Sequence, residues 1–181
     1  EPPAAGNPLF LLEGDAARRV LFTPHIAGAF AGYSDRAAAI FRENLRLEAR
    51  KKGGDAPGSR ELILRHVRAR RGERGIVYCA TRKAVEGLAD ELRRHGVRAV
   101  AYHAGLDADV RTRAQEAFRG GAADVVVATI AFGMGIDQPD IRYVIHRDMP
   151  GPVEGYCQEI GRAGRGGRES DCVVRASWAD V

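Results

Sequence analysis

Two apolar runs, Ile76-Val77-Tyr78-Cys79 and Val125-Val126-Val127, each break at once into a polar or glycine-bearing loop, and stretches of helical period lie between them. A short run without polar alternation belongs to a strand buried on both faces, which means a parallel sheet covered by helices. Strands are expected over residues 76–79, 97–102, 124–129, 143–146 and 172–175. A helix over 60–71 would turn Leu62, Ile63 and Val67 inward, and one over 83–95 carries Val85, Leu88, Ala89 and Leu92 on one side, with Gly96 placed to stop it. Asp107 can cap a third, in which Val110, Ala114, Ala117 and Phe118 share a face before Gly120-Gly121. A fourth covers 152–160. This alternation predicts an α/β fold, a parallel sheet with helices on both faces. Ligands of such sheets bind outside the carboxyl ends of the strands, so the loops carrying chemistry are expected to open on one edge.

The chemistry is densest in Gln158-Glu159-Ile160-Gly161-Arg162-Ala163-Gly164-Arg165. Two arginines three apart, separated by small residues, offer rigid, permanently charged forks that match phosphoryl oxygens. Gly161 and Gly164 remove bulk that would hold a ligand from the backbone. The stretch reads as an arginine-finger motif and asks for a triphosphate. Upstream, Ala128-Thr129-Ile130-Ala131-Phe132-Gly133-Met134-Gly135-Ile136-Asp137 follows its valine strand directly.

In order and spacing, residues 61–181 resemble the second RecA-like lobe of RecQ-family DNA helicases. Residues 76–82 match that family's motif IV, 102–106 the short motif after it, 128–137 motif V and 158–165 motif VI. Ala131-Phe132-Gly133-Met134-Gly135-Ile136-Asp137 separates the family from DEAD-box relatives. Cys157 stands where an aromatic is usual, and Gly166-Gly167 replaces a commoner Asp-Gly. The resemblance implies that Arg165 reaches the γ-phosphate of ATP with Arg162 as companion. It implies that Gln158, Asp137 and Gly135 face the nucleotide, and that Arg82, His103 and Thr129 grip the backbone of single-stranded or partly duplex DNA. For these last three a local role competes: a hydrogen bond for His103, a satisfied strand end for Thr129, a cap for Arg82. No Walker A loop and no DExH run occurs, so a first RecA-like lobe is the implied partner, holding most of the ATP and Mg²⁺. The isolated chain is expected to be inactive.

Residues 1–52 follow another pattern. Asn7-Pro8-Leu9-Phe10, then Thr23-Pro24-His25-Ile26 and a helix expected over 35–52, resemble the C-terminal segment of D-2-hydroxyacid dehydrogenases, a short strand-loop-helix piece. That resemblance implies His25 as a remnant acid/base. No G-x-G-x-x-G loop accompanies it, and general acid/base chemistry needs positioned partners. Residues 53–60, rich in Gly, Pro and Ser, read as a linker. Alternatives to a helicase lobe are therefore a fragment of an NAD-dependent dehydrogenase or a non-catalytic DNA-binding module.

Charge adds little, since the net value is +4 and the arginine excess over Lys51, Lys52 and Lys83 can reflect base composition. The six arginines from Arg60 to Arg74 read as a solvated face. Cys79, Cys157 and Cys172 are odd in number and lack C-x-x-C spacing, so neither a disulfide framework nor a zinc site is indicated. Cys79 and Cys172 read as small buried hydrophobes. No apolar run approaches a membrane span and no signal pattern opens the chain, so a cytoplasmic, nucleoid-associated protein without membrane contact is expected.

Overall fold

In a computed structural model of the chain, the structure describes residues 45–51, 58–132, 138, 140–148, 153–165 and 168–176. The elements run β1 (Leu45–Lys51), α1 (Ser59–Ala69), β2 (Arg74–Tyr78), α2 (Arg82–Arg94), β3 (Ala99–Tyr102), α3 (Ala108–Arg119), β4 (Val125–Ala128), β5 (Ile141–His146), α4 (Val153–Ile160) and β6 (Ser170–Ala176). They build one six-stranded sheet in the order β1-β6-β5-β2-β4-β3, with every neighbouring pair parallel.

The unalternated runs lie where a sheet covered on both faces needs them. Val125 to Ala128 are completely buried, and Ile76 and Val77 with them. On one face Ile63 and Val67 of α1 and Val85, Leu88, Ala89 and Leu92 of α2 pack on Val77, Val127 and Ile145. On the other, Ala114 and Phe118 of α3, Phe132, Ile160 and Ala163 pack on Ile76, Val126 and Val144. Leu62 is half-buried, so the inward stripe of α1 is narrower than expected. Gly96 does end α2, at φ 77°, where a side chain would be strained. Asp107 occupies the N-cap position of α3, but its side chain makes no capping bond; Thr81 caps α2 instead, accepting from Ala84 N–H at 3.2 Å.

The helix expected over 35–52 is corrected in the part described. Leu45–Lys51 is a strand, paired with β6 from Leu45↔Ser170 to Lys51↔Ala176. Leu45, Leu47 and Ala49 alternate with Arg46, Glu48 and Arg50, a period of two that suits a strand. Residues 1–44, with His25, and residue 52 lie outside the described residues, as do 53–57 of the expected linker. The arginines from Arg60 to Arg74 are not simply solvated either. Arg60 pairs with Glu91, Arg65 with Glu61, Arg70 with Glu73 and Asp171, and Arg74 with Asp140.

Candidate functional site

The parallel ladder brings three of the expected loops to one edge. Arg147 N–H donates to Tyr78 O at 2.9 Å, Cys79 N–H to Ala128 O at 2.8 Å, and Thr129 N–H to Tyr102 O at 3.2 Å. The carboxyl ends of β5, β2, β4 and β3 thus stand side by side. Asp148 Oδ2 accepts from Ala80 N–H at 3.0 Å and ties two of these loops together. Thr129 is half-buried, and Ile130 beside it is 77% exposed. Arg82 starts α2 and lies over the 103–106 loop. A Cβ on Gly105 would stand 2.7 Å from its Nη1, so glycine there is what lets the guanidinium approach.

His103 is 2% exposed and has a local partner, its Nε2 lying 3.0 Å from Glu86 Oε1.

The motif VI turn begins near the carboxyl end of β5, where Glu159 in the last turn of α4 meets His146, and runs back over the sheet face until Gly164 N–H donates to Ile141 O at 3.4 Å. Gly164 has φ 75°, so glycine is required there by conformation as well as by space. The turn meets the motif V loop over the α3/α4 face. Tyr78 OH donates to Phe132 O at 3.0 Å and accepts from the Arg162 guanidinium. Phe132 packs edge-on against Tyr102 and Phe118. Burial pushes the Tyr78 phenol up to about 12, with Arg162 pulling the other way.

Arg162 and Arg165 therefore differ. The first is half-buried and tethered to the end of β2, while the second is exposed, its Nε donating to Gly161 O at 3.0 Å. Gln158 is exposed on the same helix end. Gly135 and Asp137 lie outside the described residues. Around Arg162 stand residues that the motifs did not single out: His146, Glu159 and Tyr156. His146 Nε2 is 2.6 Å from Glu159 Oε2, and its ring stacks on Tyr78 and meets Tyr156 edge-on. The signal available was a histidine ending the apolar run Tyr143-Val144-Ile145, where burial demands a polar partner.

Cys79 and Cys172 are buried free thiols, as read from the sequence. Burial pushes the Cys79 thiol up to about 11 and the Cys172 thiol further in the same direction. Among the described residues no group of three potential metal ligands converges, and no helix is long and apolar enough to cross a membrane.

Comparison with known proteins agrees with this arrangement. The family model of the helicase conserved C-terminal domain matches residues 58–167. The ATP-dependent DNA helicase RecQ of Haemophilus influenzae is 47% identical over 120 residues, covering 66% of this chain and 19% of its own length. A putative ATP-dependent DNA helicase Q1 of Caenorhabditis briggsae is 40% identical over 145 residues, 80% of this chain and 24% of its own. The chain thus spans about a fifth to a quarter of these curated relatives. A match of 145 residues is longer than the chain from residue 53 to its end, so it reaches into the segment that the dehydrogenase resemblance had set apart. Among solved structures, the E. coli DEAD-box protein SrmB bound to regulator of ribonuclease activity A superposes with TM-score 0.64 at 27% identity, over 73% of this chain and 78% of that one. The C-terminal domain of the DEAD-box protein Dbp5 shares the fold, with TM-score 0.65 at 22% identity over 75% of this chain and 78% of its own. A parallel sheet whose motif V loop and motif VI turn meet on one face, matched over most of its length by these relatives, is a RecA-like lobe: the chain belongs to the helicase conserved C-terminal domain family and carries the C-terminal lobe of a RecQ-family helicase.

Proposed function

We propose that this lobe is the second half of an ATP-dependent DNA motor, presenting Arg165 and Arg162 to a triphosphate bound by a first RecA-like lobe. The observation that supports it most is the contrast within motif VI: one guanidinium held by Tyr78, the other exposed at the end of the same turn. Two forks so placed suit the equatorial oxygens of a γ-phosphoryl group, on which charge develops as the leaving bond lengthens. The donors here are cationic, which fits phosphate; Mg²⁺ and the β-phosphate are assigned to the Walker A lobe. Gln158, Gly135 and Asp137 would border the nucleotide. Arg82 and Thr129, on the carboxyl edge, would hold DNA through its phosphates, a grip that reads no sequence. His103 then supports this edge through Glu86 on α2 without touching DNA. The protein would act in the cytoplasm at the nucleoid, on single-stranded or partly duplex DNA.

We keep the two-part organisation as a proposal, with the boundary moved ahead of Leu45 and the dehydrogenase-like remnant, His25 included, confined to residues before it. No chemistry is assigned to that remnant.

The test is DNA-stimulated ATP turnover with a RecQ-type first lobe supplied. The chain alone should hydrolyse ATP at the background rate. In the completed pair Arg165→Lys should cut turnover by roughly a hundredfold, within the range of arginine fingers, and leave single-stranded DNA affinity within about threefold, since exposed phosphate contacts lie elsewhere. Normal turnover with loss of DNA would instead make motif VI a DNA clamp.

A further inference from the structure

His146 and Glu159 are the most deeply buried polar pair near the motif VI turn, at 1% and 8% exposure, and no motif assigns them a task. Their bond joins the last residue of β5 to the last turn of α4. Three residues beyond Glu159, Arg162 N–H donates to Glu159 O at 3.4 Å. The Arg162 guanidinium reaches Tyr78, and the Tyr78 ring stacks on His146 with centroids 5.2 Å apart and planes 22° apart. The contacts therefore close a ring: His146 to Glu159, along the backbone to Arg162, across to Tyr78, and back to His146. His146 Nδ1 has no hydrogen-bond partner among the described residues, so Glu159 is the polar anchor of that imidazole.

We propose that His146 and Glu159 are positioning residues for Arg162, holding the motif VI turn and its guanidinium at the end of β2. An arginine side chain on a turn has many rotamers, and a planar fork is useful only when its plane is set in advance. Tyr78 fixes the head of the side chain. The buried pair fixes the turn from which it springs, and the stacked ring makes the two restraints depend on each other. A small displacement of a reacting or charge-stabilising group can cost about a hundredfold in rate. This inference rests on the proposed function only for its consequence in turnover, because the restraint itself can be read in the chain alone.

The experiment follows the Arg162 side chain directly. In the full chain, the Arg162 Nε–Hε resonance, assigned by its loss in Arg162→Lys, should be ordered and slow to exchange. His146→Phe keeps a ring against Tyr78 but removes the bond to Glu159. It should make that resonance average and exchange at least about tenfold faster, in the manner of a locally released group, while the Arg165 resonance stays as it was. Glu159→Gln retains an acceptor for the imidazole and should restore most of the order. Should His146→Phe fail to fold, Tyr78→Phe releases the same guanidinium from its other end and must show the same change. An Arg162 side chain as ordered as in the parent in His146→Phe, or in Tyr78→Phe where His146→Phe does not fold, overturns the inference. With the first lobe added, His146→Phe should lower kcat by about tenfold to a hundredfold and leave KM for ATP within about twofold, a split that loss of turn placement predicts and loss of ground-state binding does not. If Arg162 is released but neither His146→Phe nor Arg165→Lys changes turnover, the restraint stands and the motor assignment of motif VI falls.

Discussion

Tyr78 and Tyr143 are both buried tyrosines on adjacent strands, and their hydroxyls have opposite fates. Tyr78 OH is donor to Phe132 O and acceptor from Arg162, whereas Tyr143 OH is buried with no partner among the described residues. A buried hydroxyl with partners stabilises modestly, and one without them costs the water it gave up. Tyr143→Phe should therefore be neutral or raise stability by up to about 1 kcal/mol, while Tyr78→Phe should lower it by about 1–3 kcal/mol. Urea unfolding of both variants tests the pair, and equal losses would contradict it. The Tyr143 ring also explains Gly75. A Cβ there would stand 1.9 Å from Tyr143 Cε2, so Gly75→Ala must push a completely buried ring and should cost about 1–3 kcal/mol, measured in the same assay.

At the scale of elements, β2 and β4 were legible because short, β-branched apolar runs that break into turn residues suit strands covered on both sides, and α2 because its stripe and Gly96 agree. The Arg162 and Arg165 fork was legible as a motif, and Arg162 does reach the end of β2; what strand-end logic missed is that the turn runs back over a sheet face as far as Ile141, because it follows a helix. The His146–Glu159 pair was illegible because a buried partner thirteen residues away has no local pattern. Leu45–Lys51 was misread since apolar residues just ahead of it sit at helical spacing, and only β6 supplies the partner that makes it a strand. That pairing makes a prediction. A chain beginning at Glu43 should unfold as one cooperative unit, whereas one beginning at Gly53 leaves the β6 edge open. The shorter chain should melt lower, by roughly 2–4 °C for each kcal/mol lost, and be more prone to associate. Identical melting curves by calorimetry would show that β1 adds nothing.

Among the described residues, thiols and phenols whose ionisation burial opposes lie on both faces of one sheet, which sets the response to alkali. Cys79 is raised from 9.0 to about 11 and Tyr78 from 10.0 to about 12, both by burial. The unfolded chain gives up these protons first, so the stability they secure is intact below pH 9 and falls as the pH climbs through 11 and 12. Urea midpoints should drop steadily above pH 9, and Cys79→Ala should flatten the first part of that slope. The sheet order has a further outcome, in time and not in energy. Among the described strands β1 is the earliest in the chain, its one ladder partner β6 is the latest, and β6 sits between β1 and β5. During synthesis β1 leaves the ribosome with nothing to pair with and must wait, unpaired, until nearly every other element has been made. Closure of this sheet at β1 thus waits for β6, and termination before Ser170 leaves bare the edges of β1 and β5 that β6 joins into one ladder.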